Sequence, residues 1–430
     1  MNYEEAVTWI DSFHHYGIKL GLKQIEQVLQ ILDNPHQKIN VIHVAGTNGK
    51  GSVCRFISSI LRCEGYTTGL YLSPHLIDFR ERFQLNDTYI SKGRFVEIVK
   101  QIKPVVNQFI SNGGKLTYFE LCTIIAFVFF SEENVDYAVI EVGLGGRYDA
   151  TNIVNPLVSV ITNVSLDHQK HLGYSIQDIA FEKAGIIKEK TPVITGAEGV
   201  ALSVIQKKSE SLQAQLTIVS NDMIKTFSTL TSQHIVFHGF FHDYEVHTNQ
   251  LGLYQPINIA VSIASIEILQ QKGVYITKES IINGIKQMNH PGRMQVLLHH
   301  PCIIVDGAHN PEAMKLAVKS IITLFPSQKI IVIFGVMKDK DIKNILNELV
   351  RITNTIIVTE LKIERSAKNE KIAEIILEIA PSLKVIRTSS VKEAIDKALE
   401  IAQKDDVIFG TGSLFTVGEL IQIIGENKNI

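Results

Sequence analysis

The chain has 430 residues, of which 45% are hydrophobic and 20% are charged, and its formal net charge is -2. Chains beyond roughly 250–300 residues usually divide into domains, so we expect two. The composition is typical of a globular protein. The near-neutral charge argues against nucleic acid or an anionic membrane surface as a partner.

The N-terminal residues lack the basic and apolar segments of a secretory signal, so we expect a cytoplasmic protein. The most apolar run, residues 124–130, is too short to span a bilayer, which needs about 20 residues. The cysteines are scattered, without a metal-binding spacing, which favours reduced thiols: Cys54, Cys63, Cys122 and Cys302.

In the first part of the chain, short valine- and isoleucine-rich runs alternate with longer segments of helical period. This alternation predicts a parallel sheet wrapped by helices. The first strand, residues 40–45, precedes a helix whose apolar face repeats at helical spacing: Val53, Phe56, Ile57, Ile60 and Leu61. The further strands are continuous apolar runs, as expected for strands covered on both faces: residues 68–72, 137–142, 157–162 and 192–195.

Residues 215–250 predict a small β subsheet with strands at 233–237 and 244–247, and a helix follows over 256–271. After residue 293, strands again alternate with helices: residues 302–305, 329–334, 354–359, 383–386 and 407–409. We therefore predict an α/β protein with a P-loop-type parallel-sheet ATPase domain and a small β subsheet over residues 1–295. A smaller Rossmann-like α/β domain follows over residues 296–430.

Residues 46–52 form a glycine-rich turn between the first predicted strand and its helix. Glycines let the backbone approach phosphate groups, and the amides of a helix N-terminus attract anions. The usual pattern places serine or threonine directly after the lysine, whereas Gly51 intervenes here, so this loop is a variant. The alternative is a plain glycine-rich turn. We predict an ATP site at Gly46, Thr47, Asn48, Gly49, Lys50, Gly51 and Ser52.

Polar side chains follow three more predicted strands. Ser73, Glu141 and the Asp167–His168 pair each lie where a strand ends, and ligands of open α/β sheets bind at that edge. Hard cations favour oxygen ligands, so Ser73, Glu141 and His168 could hold Mg²⁺ beside the phosphates. Histidine is a less usual ligand for this ion, and a structural role for His168 stays open.

Three other segments give weaker signals. Lys183 lies beside a glutamate in a predicted helix, where a lysine is by default a surface residue. Residues 143–152 are rich in glycine and directly follow Glu141, which favours a mobile loop over the active site. Residues 306–311 end a strand and begin a helix with proline at its first position. They form either a helix-capping turn or a site where Asp306 and His309 face ATP across a domain cleft.

Together these segments resemble the Mur ligase superfamily and, within it, the folylpolyglutamate synthase/dihydrofolate synthase family. The resemblance runs from the N-terminus to residues 417–419, with matching order and spacing. The motifs that carry it are residues 43–52, Ser73-Pro74-His75-Leu76, Glu141 with residues 143–152, Leu166-Asp167-His168, Glu182-Lys183-Ala184-Gly185, Pro291-Gly292-Arg293 and residues 306–310.

The resemblance implies roles by position. Lys50 and the loop amides would hold the ATP phosphates. Two Mg²⁺ ions are expected, with Ser73, Glu141 and His168 as ligands, and a monovalent cation is left open. Lys183 would be carbamylated, giving a carboxylate-like group beside the second ion. The remaining ATP contacts would be Asn258, Arg293 and Asp306, with His309 nearby.

The pterin of a folate would lie against three segments: Leu20, Gly21 and Leu22; Thr117, Tyr118, Phe119 and Glu120; and Tyr148, Asp149 and Ala150. The chain departs from the family pattern at two positions. Tyr254 stands where the family more often has histidine, and Leu72 precedes Ser73 where a small polar residue is expected.

The implied reaction is the ATP-dependent addition of L-glutamate to a folate or its polyglutamates, with dihydropteroate as a further acid substrate. The folate carboxylate attacks the γ-phosphate, and the glutamate amine then displaces phosphate from the acyl-phosphate. His309 and Asp306 are the candidate catalytic bases. Lys50 and Lys183 are the other two predicted catalytic residues. The family leans towards monomers.

Three other classes compete with this interpretation: a Mur-type ligase acting on a cell-wall precursor, a nucleotide-dependent binding protein and a simple P-loop kinase. The first usually carries a separate N-terminal domain, for which a phosphate loop starting at residue 46 leaves no room.

Overall fold

A computed structural model describes residues 1–17 and 21–427. It divides into two units. The N-terminal unit comprises Met1–Thr226, Ile235–His247 and Pro256–Met288. The C-terminal unit comprises Phe227–His234, Thr248–Gln255 and Asn289–Ile430. A domain boundary near residue 295 stays a prediction, and no shift in composition indicates the two short stretches that join the C-terminal unit.

The N-terminal unit is built on one eight-stranded sheet. Its strands are β1 (Val41–Ala45), β2 (Thr68–Tyr71), β3 (Phe83–Leu85), β4 (Thr88–Tyr89), β5 (Tyr137–Glu141), β6 (Val158–Ile161), β7 (Val193–Thr195) and β8 (Leu216–Ile218). The strand order is β4-β3-β2-β5-β1-β6-β7-β8. The six strands β2, β5, β1, β6, β7 and β8 are parallel to one another, whereas β3 and β4 form an antiparallel edge. The predicted parallel sheet is confirmed, but the short edge strands were not foreseen.

Helices surround this sheet: α1 (Tyr3–Asp11), α2 (Lys23–Ile31), α3 (Lys50–Cys63), α4 (Lys92–Ser111), α5 (Tyr118–Glu132), α6 (Gln169–Leu172), α7 (Ile176–Ala184), α8 (Gly199–Ser211), α9 (Gln255–Gln271) and α10 (Lys278–Gln287). Short 3₁₀ turns occur at Ser12–Tyr16, Pro35–Gln37, Phe79–Arg82, Ala150–Ile153 and Asn221–Met223. The apolar run at 124–130 lies within α5 and is buried on all sides. None of the helices in the described part of the chain is long and apolar enough to cross a membrane.

The predicted subsheet is a three-stranded sheet of β9 (Ile224–Ser228), β10 (Gln233–His238) and β11 (Asp243–Thr248), in the order β11-β10-β9. Buried and exposed residues alternate along β10 and β11, as in a sheet with one solvated face. Ile235, Phe237, Tyr244 and Val246 face a core that they share with α9.

The C-terminal unit contains a six-stranded sheet of β12 (Gln295–His299), β13 (Cys302–Asp306), β14 (Ile330–Phe334), β15 (Thr355–Thr359), β16 (Lys384–Thr388) and β17 (Val407–Thr411). Its order is β12-β13-β17-β14-β15-β16, and only β12 runs antiparallel to its neighbour in this sheet. The helices are α11 (Pro311–Leu324), α12 (Ile342–Leu349), α13 (Asn369–Ile379), α14 (Val391–Ile401) and α15 (Leu414–Asn427). This is the Rossmann-like arrangement that the sequence predicts.

Candidate active site

Gly46 and Gly49 shape the turn between β1 and α3. Their backbone angles φ are +151° and +81°, a region that favours glycine. A Cβ atom at Gly46 would collide with the hydroxyl of Thr162, and one at Gly49 would collide with the side-chain amide of Asn258. The turn therefore depends on glycine at both positions, as expected for a loop that approaches phosphate.

The segment after β6 holds this turn in place. The amides of Thr47 and Asn48 donate to the backbone and side-chain oxygens of Asn163, at 2.9 Å each. Lys50 begins α3, and its Nζ donates to the Thr47 carbonyl at 3.2 Å. Two of the amides predicted to bind phosphate are thus already bonded within the protein, and the first-turn amides of α3 stay as predicted phosphate contacts.

Ser73 follows strand β2, and Glu141 is the last residue of strand β5. These two strands are adjacent and parallel, so the two residues lie side by side. The Ser73 amide donates to Glu141 Oε2 at 2.9 Å, and Glu141 is only 5% exposed. Strand β1 lies on the other side of β5, with Val44 opposite Glu141. The carboxylate therefore ends one strand away from residues 46–52, which we call the phosphate turn after their predicted role.

His168 and Asp167 follow β6 at the same edge of the sheet. The His168 amide donates to Asp167 Oδ1 at 2.8 Å, and the ring Nε2 lies 3.9 Å from the same oxygen. The Asp167 side chain is 11% exposed, against 38% for His168. A carboxylate oxygen suits Mg²⁺ better than an imidazole does. Asp167 therefore joins the candidate set, and its place in the segment after a predicted strand was the signal for it in the sequence.

Lys183 is buried in α7, so the default interpretation as a surface lysine is wrong. The residue is 3% exposed, and its Nζ donates to the carbonyl of Gly46 at 2.8 Å. Burial, reinforced by the nearby charge of Lys50, lowers the pKa of Lys183 to about 7, while Asp167 and Asp149 act in the opposite direction. An amine with this pKa is partly neutral, and therefore nucleophilic, near physiological pH.

The glycine-rich stretch 143–152 is fastened to the end of α7. The Arg147 amide donates to the Glu182 carbonyl at 2.8 Å, and the Asn152 side chain donates to the carbonyls of Arg147 and Gly185 at 3.0 Å each. A Cβ atom at Gly146 would lie 2.8 Å from the Glu182 carbonyl oxygen. These contacts give a tightly bonded segment, in place of the mobile loop that the glycine content predicts.

A buried chain of hydrogen bonds links this stretch to β1. The Thr151 hydroxyl donates to Asp149 Oδ1 at 2.5 Å and lies 2.7 Å from His43 Nε2. Because that hydroxyl proton is already donated, Nε2 of His43 carries the proton of the second bond. Burial lowers the pKa of His43 to about 3, so its ring is neutral. Leu144 donates its amide to Asp149 Oδ2 at 2.9 Å, which leaves Asp149, a predicted pterin contact, largely engaged within the protein.

The other predicted pterin segment, residues 117–120, begins α5. Thr117 and Glu120 form a capping box, in which the Thr117 amide and hydroxyl donate to Glu120 Oε2 at 2.8 Å each. Both side chains thus have a structural role, whatever else they contact. Phe119 packs where a Cβ atom of Gly143 would lie.

Arg82 is a buried cation beside this segment, and no motif in the sequence indicated it. Its guanidinium lies 5.5 Å from the ring centroid of Tyr118, and its Nε donates to His75 Nδ1 at 3.0 Å. The side chain is 6% exposed. Only its place in a charged run after residue 77 could have drawn attention to it.

The remaining predicted pterin residues are less enclosed. Gly21 and Leu22 directly precede α2 and are partly buried, whereas Leu20 lies outside the described residues. Tyr148 is 37% exposed, with the Arg147 guanidinium 4.6 Å from its ring centroid. Ala150 is buried at the start of a 3₁₀ turn.

In the C-terminal unit, Asp306 ends β13 and is 2% exposed. Its carboxylate accepts bonds from the Tyr254 hydroxyl at 2.5 Å and from the amides of Met294 and Ala308 at 3.0 and 2.8 Å. His309 Nδ1 lies 2.9 Å from the Gly307 carbonyl. The helix cap of α11 is Asn310, so capping occupies one residue of this turn and leaves the others for a different role.

Two family models match the chain, the Mur ligase middle domain over residues 44–266 and the Mur ligase glutamate ligase domain over residues 292–414. The dihydrofolate synthase/folylpolyglutamate synthase of Bacillus subtilis is 33% identical over 437 residues, which covers 97% of this chain and 98% of the relative. The folylpolyglutamate synthase of Lacticaseibacillus casei is 32% identical over 369 residues, covering 83% and 85%.

Solved structures agree with these matches. Mycobacterium tuberculosis folylpolyglutamate synthase complexed with ADP has a TM-score of 0.92 at 27% identity, covering 99% of both chains. E. coli FolC in complex with DHPP and ADP has a TM-score of 0.89 at 28% identity, covering 100% of this chain and 99% of the other.

A phosphate turn before a helix, acidic groups at the neighbouring strand ends and a second α/β unit are the features of an ATP-dependent ligase that forms amide bonds. The chain belongs to the Mur ligase family, in its folylpolyglutamate synthase and dihydrofolate synthase group. Its activity is the ATP-dependent ligation of glutamate to a folate.

Proposed function

We propose that the phosphate turn and the acidic strand ends of the N-terminal unit activate the carboxylate of a folate, or of dihydropteroate, for coupling to L-glutamate. The observation that carries this assignment is the buried Lys183, whose Nζ donates to Gly46 at the phosphate turn. Burying a lysine is unfavourable unless its charge is removed or compensated. A lysine kept there, with a pKa near neutrality, is suited to a chemical modification of its amine.

That modification is carbamylation. The neutral Nζ of Lys183 attacks the carbon of CO₂, a C–N bond forms as one C=O π bond opens onto oxygen, and the nitrogen releases a proton to solvent. The product carries a negative charge where the ammonium carried a positive one. Two oxygen atoms are thereby added next to the phosphate turn, where a divalent cation needs ligands.

Oxygen donors dominate this group of residues, which fits Mg²⁺. The candidates are the Glu141 and Asp167 carboxylates, the Ser73 hydroxyl and the carbamate, with His168 beside Asp167. Mg²⁺ bound there would neutralise phosphate oxygens during transfer. One Glu141 oxygen accepts the Ser73 amide, which orients the carboxylate.

The side chains and amides of this unit would position ATP rather than react with it. Lys50 and the first-turn amides of α3 would hold the phosphates. An oxygen of the substrate carboxylate then bonds to the γ-phosphorus as the bond to ADP breaks. The glutamate nitrogen bonds to the acyl carbon next, phosphate departs, and the nitrogen loses a proton.

Of the two candidate bases for that proton, His309 is better suited than Asp306. The Gly307 carbonyl can only accept a hydrogen bond, so His309 Nδ1 carries the proton and Nε2 carries a lone pair. Asp306 is 2% exposed and its carboxylate already accepts three bonds. Arg293 and Asp306 are better assigned to the binding of ATP, together with Asn258 beside the phosphate turn.

The pterin would lie against the segments around Tyr118 and Tyr148, near the buried guanidinium of Arg82. The proposal that dihydropteroate is also a substrate is supported by relatives named as both dihydrofolate and folylpolyglutamate synthases. We further propose a monomer in the cytoplasm, where the four free thiols would stay reduced.

Mass spectrometry of reaction products tests the proposed function. Purified protein is incubated with ATP, Mg²⁺ and glutamate, and then with either dihydropteroate or tetrahydrofolate. We expect ADP release that requires both the pterin acid and glutamate, with a product heavier by one glutamyl unit. ADP release without such a product would contradict the proposal.

A further inference from the structure

The Asp306 carboxylate joins three segments of the C-terminal unit. Tyr254 precedes α9, Met294 ends the 291–294 turn, and Ala308 lies in the turn after β13. Each donates one hydrogen bond to the carboxylate. At 2% exposure, Asp306 has little access to water that could replace a lost donor.

One of these segments is held in an unusual conformation. Met294 has a φ of +42° although it is not glycine, and it is 1% exposed. Such a backbone persists only where its surroundings stabilise it. The bond from its amide to Asp306 provides part of that stabilisation, and the bond from the Gly307 amide to the Gly292 carbonyl, at 3.0 Å, ties the two turns together.

Arg293 lies between Gly292 and Met294, the two residues that make these bonds. A Cβ atom at Gly307 would be 3.5 Å from Arg293 Nη1, so the guanidinium runs alongside the turn after β13. The charge of Arg293 also lowers the pKa of Asp306, against the effect of burial, so the two side chains interact. A displaced Asp306 carboxylate would therefore shift the position that favours the Arg293 guanidinium, which we assign to ATP.

Tyr254 is built into this arrangement. A Cβ atom at Gly252 would lie 2.9 Å from the tyrosine ring and 3.0 Å from the side chain of Met294, so glycine at position 252 makes room for the ring against Met294. The hydroxyl proton points to Asp306, because a carboxylate that accepts two amide bonds can only accept the third.

We propose that Tyr254 is a positioning residue, which fixes Asp306 and through it the orientation of Arg293 before ATP binds. This inference rests on the proposed role of Arg293 and Asp306 in ATP binding.

The test compares Tyr254→Phe, which removes the hydroxyl, with Tyr254→His, which retains a ring N–H donor. Tyr275→Phe is the matched control, because Tyr275 is 72% exposed and belongs to the other unit. We expect Tyr254→Phe to weaken ADP affinity and raise KM for ATP on the order of tenfold, as loss of a bond to a buried charge implies. KM for folate should change little, and Tyr254→His should recover most of the ATP affinity.

A pH profile separates positioning from general destabilisation. The ionisable groups that face Asp306 are Tyr254 and Arg293, and both favour its charged form, against the burial that raises its pKa. Removing the hydroxyl raises that pKa further, so the acid limb of kcat/KM for ATP should move to higher pH in Tyr254→Phe. A purely structural defect would lower kcat/KM equally at every pH and lower the melting temperature.

Unchanged ADP affinity and an unchanged acid limb in Tyr254→Phe would overturn the inference while leaving the ligase activity standing. Equal losses for ATP, folate and glutamate would overturn it as well. Calorimetric titration with ADP does not depend on product formation. A wild type that bound ADP but formed no glutamyl product would therefore contradict the proposed function alone.

Discussion

Replacing Lys183 with alanine should abolish ligation, and a short carboxylic acid should restore part of it. How strongly the site favours modification of Lys183 follows from its pKa of about 7. At pH 7 about half of such amines are neutral, against roughly one in three thousand for a lysine with its ordinary pKa of 10.5. The buried site therefore raises the fraction of amine able to react with CO₂ by about three orders of magnitude.

The assay measures ADP release and glutamylated product for the wild type, Lys183→Ala and the control Lys207→Ala, each with and without formate or acetate. Lys207 lies exposed on α8. The carbamate of the wild type should add about 44 Da to the intact mass. At a fixed CO₂ concentration, the initial rate of modification should rise with pH up to about 7 and then level off, because the pKa is lowered and the neutral amine predominates above it.

Near-normal activity of Lys183→Ala would refute the reasoning outright. So would a wild type that is fully active while intact mass shows an unmodified lysine.

Three further substitutions test the rest of the site. Lys50→Ala should remove ATP turnover while circular dichroism shows an intact fold; retained turnover would contradict its phosphate role. Gly146→Ala should cut activity severely because its Cβ would lie 2.8 Å from the Glu182 carbonyl oxygen and displace α7, whereas Gly93→Ala, with open space around it, should be neutral. Equal activity of these two variants would show that the close contact between residues 143–152 and the end of α7 is not needed for activity. Asp167→Asn should raise the Mg²⁺ concentration needed for half-maximal rate by about tenfold, as loss of a charged oxygen ligand implies; an unchanged Mg²⁺ dependence would remove Asp167 from the ligand set.

Most strands of the two large sheets were predictable because they are buried on both faces. Strands such as β1, β5 and β14 are continuous runs of β-branched and other apolar residues, and their predicted ends agree with the structure to within one residue. The short strands β3, β4 and β8 have only two or three residues each. Runs of that length carry little periodicity, and among the two- and three-residue strands of this sheet only β7, in the apolar run 192–195, was predicted.

The phosphate turn was visible in the sequence for a similar reason. Glycines, a lysine and a following helix are neighbours along the chain, and their chemistry is local. Lys183 illustrates the opposite case, since its helix looks like a surface helix and only the resemblance assigned it a role. Its Nζ bonds to the carbonyl of Gly46, which lies 137 positions away.

Local order along the chain was thus sufficient for the fold class, the strand ends and the phosphate turn, because backbone geometry and hydrophobic burial act over a few residues. Contacts between distant segments were decided only when the chain folded. Three sets of hydrogen bonds join residues far apart in sequence. They link Asn152 to the end of α7, His43 through Thr151 to Asp149, and Tyr254 to Asp306. Charge burial and hydrogen-bond geometry depend on such neighbours in space, so the chemistry of Lys183 and Asp306 belongs to the tertiary structure.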